Sequence, residues 1–209
     1  MSFNDNNVNM TKPKKSYHHG DLRSALIAEG LKLLEKQDLE RLSLREVARN
    51  VGVSATAVYR HFPSKESLLK ALAEHGLTML AQQQERAAAK ARGAAAFAQT
   101  GRAYVRFALA NPNLFRLIFI HTPGRLRPDV ESPEGSPALL LRGYVAHALG
   151  PRASREQIFI AALQAWSLVH GLSMLILDEQ VEPKAAEATP GWQRTCPSPR
   201  RDVPRQRRG

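Results

Sequence analysis

The amino-acid sequence predicts an all-α protein, in which a small N-terminal head of three helices is followed by a larger helical body. Apolar residues recur at intervals of three and four residues between about residues 21 and 177, which is the spacing of one buried helix face. Glycine and proline interrupt this pattern at Gly52, Pro63, Pro112 and Gly150, where helices are expected to end or begin. About nine helices are expected.

The second and third helices of the head are predicted to be short and to be joined by a tight turn. Ser43 followed three residues later by Glu46 matches a capping box, so a helix is expected to start there. Gly52 can adopt the left-handed conformation that ends this helix. Ser54 is then the N-cap of a helix over residues 55–62, which the following proline stops. Two short helices joined by a glycine-containing turn form a helix-turn-helix.

The third helix is predicted to have one buried and one exposed face. Val58 and Phe62 are expected to face the core, and a first helix, from Asp21, is expected to pack across the pair and complete the head. The residues expected to face outward are Thr56, Tyr59, Arg60 and His61. Their hydroxyl, phenol, guanidinium and imidazole groups can hydrogen-bond to phosphates and base edges. The pattern therefore indicates a DNA-binding element.

Two sequence motifs resemble the TetR family of transcriptional regulators. The run V-S-A-T-A-V-Y-R-H-F-P-S-K-E-S-L-L (residues 53–69) resembles the recognition helix and following linker of that family. The upstream Y-H-H-G-D-L-R (residues 17–23) is similar to the lead-in of one large branch. Trp166, His170 and Gly171 resemble the W-x-x-x-H-G signature of a C-terminal regulatory domain in many TetR-type proteins. The resemblance covers about residues 17–180.

The resemblance implies a ligand-responsive repressor that binds a palindromic DNA operator as a homodimer. The expected DNA-binding residues are Ser43, Arg45, Ser54, Ala55, Thr56, Tyr59, Arg60, His61 and Lys65. Serine and lysine at helix starts suit phosphates, and the resemblance implies phosphate contacts for Tyr59 and His61. Thr56 and Arg60 are therefore the expected base-contacting residues, with Ala55 against a thymine methyl.

The sequence divides into four expected segments. These are a flexible basic arm (residues 1–16), the DNA-binding domain (17–63), a regulatory and dimerisation domain (64–181) and a disordered basic tail (182–209). The helix that leaves the head is expected to start after Ser64 and could extend as far as residue 92. It is the only continuous link between head and body in this interpretation. Further helices are expected over residues 93–110, 113–120 with Asn111 as N-cap, 137–149, and 158–177 after a Ser154–Gln157 capping box.

Five residues of the body form a candidate effector pocket with apolar walls and one imidazole. They are Phe107, Phe115, Phe119, Trp166 and His170. Trp166 and His170 are four residues apart, so they share a helix face. The alternative is ordinary core packing, in which the tryptophan fills space and the histidine satisfies a neighbouring helix. His121 and His147 are expected at the surface.

The net charge of +11 favours polyanion binding, but it is concentrated in the tails. Residues 183–209 contribute +5 and residues 1–15 contribute +2, whereas residues 16–62 contribute only +1. A nonspecific nucleic-acid-binding protein that uses its basic tails is therefore the alternative function. The resemblance implies a final helix there, but the five prolines of the tail and its few aliphatic residues predict none.

Other classes of function lack support in the sequence. No G-x-S-x-G or H-E-x-x-H motif occurs and the single cysteine, Cys196, lies in the proline-rich tail, so an enzyme is not expected. No spacing of Cys and His residues suits a metal, and no cofactor is expected; the adjacent His18 and His19 lack further ligands. No apolar run of membrane-spanning length is seen, with Arg116 and His170 breaking the longest candidates, and no apolar signal segment is present. A cytoplasmic protein is expected.

Overall fold

A computed structural model describes residues 19–121 and 132–183 and confirms the all-α fold. These residues form eight helices, so the ninth expected helix is not among them. In chain order the helices are α1 (His19–Leu34), α2 (Leu44–Val51), α3 (Ala55–His61), α4 (Lys65–Ala88), α5 (Gly93–Ala110), α6 (Pro112–His121), α7 (Pro137–Leu149) and α8 (Arg155–Leu177). The basic arm, most of the loop after α6 and most of the basic tail lie outside the described residues.

The head consists of α1, α2 and α3 around a small apolar core. Ser43 accepts a hydrogen bond from the Glu46 N–H at 3.2 Å, and Gly52 ends α2 in the left-handed conformation with φ +78°. The reciprocal half of the predicted capping box is not formed, because the Glu46 carboxylate accepts from Gln37 Nε2 at 2.9 Å. Val58 and Phe62 are buried as predicted.

Helix α4 runs from the head into the body, but it ends earlier than its sequence suggests. Ser64 and Ser67 cap its first turn reciprocally. The helix stops at Ala88 rather than near residue 92, and Gly93 follows with φ +54°. Alanine is the best helix former, so the alanines around residue 88 do not signal the end of a helix. The turn is therefore placed by the packing of α5 back along α4.

Two glycines allow close helix packing along α4. A Cβ at Gly30 would lie 2.9 Å from Leu72 Cδ2, and one at Gly76 would lie 2.8 Å from Leu114 Cδ1. Helix α4 therefore lies close to α1 at Gly30 and close to α6 at Gly76. The buried residues of head and body join into one core that includes Leu26, Leu72 and Phe115.

Helix α6 begins at Pro112, where a missing N–H is tolerated. Asn111 precedes it as predicted, but its side chain closes α5 instead, with Nδ2 donating to the Phe107 carbonyl at 3.0 Å. Helices α7 and α8 form a hairpin through Gly150, whose φ is +85°. The Ser154–Gln157 capping box is confirmed with both bonds formed, and α8 starts at Arg155, three residues before the predicted start.

Helix α8 is long and apolar, but only Ala162, Ser173 and Ile176 are buried within the described part of the chain. By length and composition alone it could cross a membrane, contrary to the expectation that His170 breaks the run. One such helix is weak evidence for a membrane span, since core helices of soluble proteins pass the same test. Four of its large apolar side chains are 39–47% exposed, namely Ile160, Leu163, Leu168 and Leu175.

Candidate DNA interface and effector site

The outer surface of α3 presents polar side chains to solvent. Thr56, Tyr59 and Arg60 are exposed, and His61 is half-buried at the end of the helix. Arg60 has no ion-pair partner among the described residues, so its guanidinium is available for a ligand. Ala55, which starts the helix, is also exposed. The helix thus combines one buried face with one hydrogen-bonding face, as the sequence predicted.

The remaining predicted DNA contacts surround this face at helix starts. Ser43 and Ser54 are the N-caps of α2 and α3, and Arg45 is exposed in the first turn of α2. Lys65 is less free than its sequence position suggests, because Nζ donates to the Glu40 carbonyl at 2.9 Å. Its ammonium therefore also holds the loop between α1 and α2 in place.

Four of the five predicted pocket residues form one aromatic cluster between α6 and α8. The His170 ring lies 4.6 Å from Phe119, 5.6 Å from Phe115 and 5.5 Å from Trp166, measured between centroids. Phe107 is buried in the core and makes no ring contact with the other four among the described residues. The structure therefore brings the motif residues together, and Phe107 supports them from the core.

Tyr104 of α5 is a functional candidate that sequence reasoning missed. Its hydroxyl accepts a hydrogen bond from Trp166 Nε1 at 3.0 Å and lies 2.9 Å from His170 Nδ1. Its ring also packs edge-on against Phe115, with centroids 5.5 Å apart. A buried phenol oxygen between two polar ring atoms explains why a tryptophan and a histidine sit one turn apart on α8. Only the fold brings this hydroxyl to them, because it comes from a helix more than 60 residues away.

The cluster is poorly solvated, and this shifts the pKa values of Tyr104 and His170. Burial raises the pKa of Tyr104 far above the usual phenol range, although the hydrogen bond from Trp166 opposes that shift. Burial also lowers the pKa of His170. Both rings are therefore uncharged near neutral pH.

A cleft lies apart from the aromatic cluster, at the starts of α5 and α7. This cleft of about 550 Å³ is lined by Arg92, Glu85, Tyr144 and His147 together with two leucines, a serine and several alanines and glycines. Gly143 also lines it, and a Cβ there would meet no atom within 4 Å. This cleft was not predicted from the sequence, since its walls come from separated segments.

His121 was predicted to lie at the surface, and this prediction is wrong. Its side chain is only 11% exposed, and Nδ1 lies 2.9 Å from the Glu66 carboxylate in the first turn of α4. His147 is exposed, as predicted. Among the described residues no group of three or more His, Cys, Asp or Glu side chains could hold a metal ion.

Two family models match the chain. The model described as bacterial regulatory proteins, tetR family, matches residues 26–72, which contain the helix-turn-helix. The model described as Tetracyclin repressor-like, C-terminal domain, matches residues 97–196. The chain belongs to the TetR family. It is a DNA-binding transcriptional regulator of that family, which is not an enzyme family.

Solved structures share the TetR-family fold. A protein with unknown function from Rhodococcus sp. RHA1 is 31% identical, with a TM-score of 0.64, over 87% of this chain and 98% of that one. TetR from Acinetobacter baumannii AYE is 20% identical, with a TM-score of 0.56, over 84% and 79% of the two chains. BioQ, solved with its double-stranded DNA operator, is 21% identical, with a TM-score of 0.53, over 82% and 93%.

The lowered pKa of His170 predicts a specific dependence of stability on pH. An unfolded histidine titrates near pH ~6.5, so below that pH the unfolded chain binds a proton at this position that the folded chain resists. Stability is therefore expected to fall as the pH drops from about 7.5 to about 5.5. In His170→Gln this contribution is absent, so urea unfolding at the two pH values should show a smaller loss than in the wild type.

The same substitution at the exposed His147 is the control for this comparison. His147→Gln should lose as much stability between the two pH values as the wild type. An unchanged loss in His170→Gln would contradict the assignment of His170 as a histidine kept neutral by burial.

Proposed function

We propose that this TetR-family regulator is a cytoplasmic, ligand-responsive repressor that binds a palindromic operator as a homodimer. The observation that carries the proposal is the exposed polar face of α3, held in a helix-turn-helix by the Ser43 and Ser54 caps and the buried Val58 and Phe62. The motif over residues 166–171, of which Trp166 and His170 both contact the Tyr104 hydroxyl, supports assignment to the branch with a W-x-x-x-H-G type of C-terminal domain.

The proposed DNA contacts differ in chemistry. Arg60 and Thr56 lie on the exposed face and would reach base edges in the major groove, with Ala55 against a thymine methyl. Tyr59 and His61 would contact phosphates beside them. The capped starts of α2 and α3, with Arg45, and Lys65 at the start of α4 would contact phosphates, which position the head without reading sequence.

Arg60→Ala and Lys65→Ala are expected to weaken DNA binding in different ways. Loss of Arg60 should relax discrimination at one base pair, costing ~1–3 kcal/mol, because a base contact disappears. Loss of Lys65 should weaken all sequences similarly and reduce the slope of log affinity against log salt by about one. Fluorescence anisotropy on an operator selected from a random pool, on point-substituted operators and on random duplex measures both effects.

Lys70→Ala is the matched control, since Lys70 is an exposed lysine of the same helix, further from its start. It should leave the affinity and salt slope nearly unchanged. An Arg60→Ala protein with unaltered sequence preference would refute the role of Arg60. Equal wild-type affinity for operator and random duplex would instead favour nonspecific binding through the basic tails.

The homodimer proposal is supported by the uncovered face of α8. Ile160, Leu168 and Leu175 fall on one side of this helix and are exposed. Gly171 lies on the same side, and a Cβ there would meet no atom of the chain within 4 Å. A glycine inside a helix costs about 1 kcal/mol relative to alanine, and no contact among residues 19–121 and 132–183 explains it. Close approach of a second copy of α8 would explain both the glycine and the exposed leucines, with α7 adding contacts beside it.

Leu168→Glu should convert the dimer to a monomer. Burying a carboxylate without a partner costs ~3–5 kcal/mol, which corresponds to a loss of about 100-fold or more in dimer affinity. Size-exclusion chromatography with light scattering at micromolar concentration measures the mass, and circular dichroism should show unchanged helix content. Ile120→Glu, at an exposed position of α6, is the control and should remain dimeric. A wild-type monomer at that concentration would remove the proposal.

Ligand response requires a mechanical link between body and head, and the structure contains two. Helix α4 is the covalent link, as the sequence predicted. Helix α6 is a second link that the sequence did not reveal: Asn113 Nδ2 donates to the Leu34 and Gln37 carbonyls at 3.0 and 3.1 Å. The same helix carries Phe115 and Phe119 of the aromatic cluster. A ligand that shifts α6 would therefore move the end of α1, and the two heads of a dimer would no longer fit half-sites ~34–36 Å apart.

The proposed switch predicts reciprocal coupling. An effector found by thermal-shift screening should weaken operator binding roughly 5- to 150-fold, for a coupling of ~1–3 kcal/mol, and operator should weaken effector binding by the same factor. Calorimetry with and without operator tests this. Asn113→Ala should reduce the coupling, because the hydrogen bonds from α6 to the end of α1 are lost. Equal effector affinities with and without operator would rule the switch out.

A further inference from the structure

The hydrogen bonds around Tyr104 determine which nitrogen of His170 carries the proton. Trp166 Nε1 can only donate, so the Tyr104 oxygen must accept from it over the 3.0 Å separation. The hydroxyl proton of Tyr104 then needs an acceptor of its own, because Tyr104 is 97% buried. His170 Nδ1, at 2.9 Å, is the acceptor within reach among the described residues.

The alternative arrangement is unfavourable. If His170 carried its proton on Nδ1, two donors would point at the Tyr104 oxygen and the phenol proton would be left buried without an acceptor. A charged imidazolium would face the same conflict in a poorly solvated cluster, in agreement with the lowered pKa of His170. His170 is therefore a neutral imidazole that is protonated on Nε2.

The Nε2–H of His170 is a donor without a partner in the described part of the chain. No hydrogen bond to it is formed there, and the His170 side chain is only half-buried. Phe119 and Trp166, which flank this ring, are also only half-buried. One directed N–H group thus lies among aromatic surfaces that solvent can reach.

We propose that this group makes the aromatic cluster a site for flat, apolar molecules carrying an uncharged carbonyl-type acceptor. The inference rests on the proposed ligand response and names the chemical class of its effector. An acceptor is required because the available group donates. It is uncharged because the rings around His170, those of Phe115, Phe119 and Trp166, carry no charge, so a carboxylate would lose water without gaining a cation. The aromatic walls suit a flat apolar body.

The test uses full-length protein and two probes that differ in one group. In 2-acetylnaphthalene a carbonyl oxygen can accept from His170, whereas in 2-isopropenylnaphthalene a methylene replaces that oxygen. Fluorescence titration of the wild type should give about fivefold tighter binding of the ketone, the size of one net hydrogen bond. The charged 2-naphthoate should bind more weakly than the ketone. Equal affinity for ketone and alkene, tighter binding of the naphthoate, or no binding of the ketone would overturn the proposal.

Tyr104→Phe removes the hydroxyl that keeps the proton on Nε2. The preference for the ketone should then fall below about twofold, whereas Tyr144→Phe, a tyrosine that stacks on Phe97 elsewhere in the body, should keep it. A preference retained in a folded Tyr104→Phe protein would overturn the positioning role of Tyr104.

A measurement on the wild type covers the case in which Tyr104→Phe fails to fold. Nitrogen-15 NMR of the histidine rings, assigned with His170→Gln, should show His170 protonated on Nε2 at pH 7.5. Protonation on Nδ1 would overturn the proposal. Operator binding by the wild type is measured separately, so a failure there removes the proposed repressor function and leaves the NMR and probe results standing.

Discussion

Helices α4 and α6 approach each other closely at Gly76, and the single core shared by head and body depends on this contact. A side chain at position 76 would collide with Leu114 Cδ1 at 2.8 Å and with Ile118 Cδ1 at 3.1 Å. Because no side chain is there, α6 lies directly on α4 and brings Phe115 into the same core as Leu72. Gly30 has the same effect nearer the head, where Leu72 packs on α1. Packed interiors resist continuous deformation, so a displacement of α6 must be accommodated by its neighbours.

Polar contacts connect the two ends of α6 to the head and to the start of α4. Asn113 satisfies carbonyls at the end of α1, which a helix otherwise leaves unpaired. His121 at the other end meets Glu66, and Arg116 between them meets Asp178 at 2.6 Å just after α8. Exposed ion pairs contribute little to stability. The Arg116–Asp178 pair is therefore better understood as fixing the position of α6 along α8. The direction of α6 is set by these contacts and by its apolar face together.

The sequence predicted the features that are decided locally. Ser43, Gly52, Ser54 and Gly150 act within one turn of themselves, and each has the cap or turn role expected from its residue type. Helix ends that depend on distant packing were predicted less well. The alanine-rich end of α4 carries no stop residue before Gly93, so its end could only come from the fold. The Glu46 carboxylate likewise left its predicted capping partner for Gln37, which a different segment supplies.

The candidate effector site shows the same division between local and distant information. The spacing of Trp166 and His170 was enough to place both rings on one face of α8, and the phenylalanines of α6 could be named from their apolar run. The spacing could not show that a phenol from α5 would lie between them. This contact decides whether His170 only fills space or presents a donor to a ligand. Without Tyr104, the imidazole could present either a donor or an acceptor to solvent. With Tyr104 buried and bonded to Trp166, one nitrogen is occupied and the other must donate. The same two hydrogen bonds of Tyr104 therefore fix the packing of α5 against α8 and the proposed ligand preference of His170. Tyr104 serves both roles from within the core.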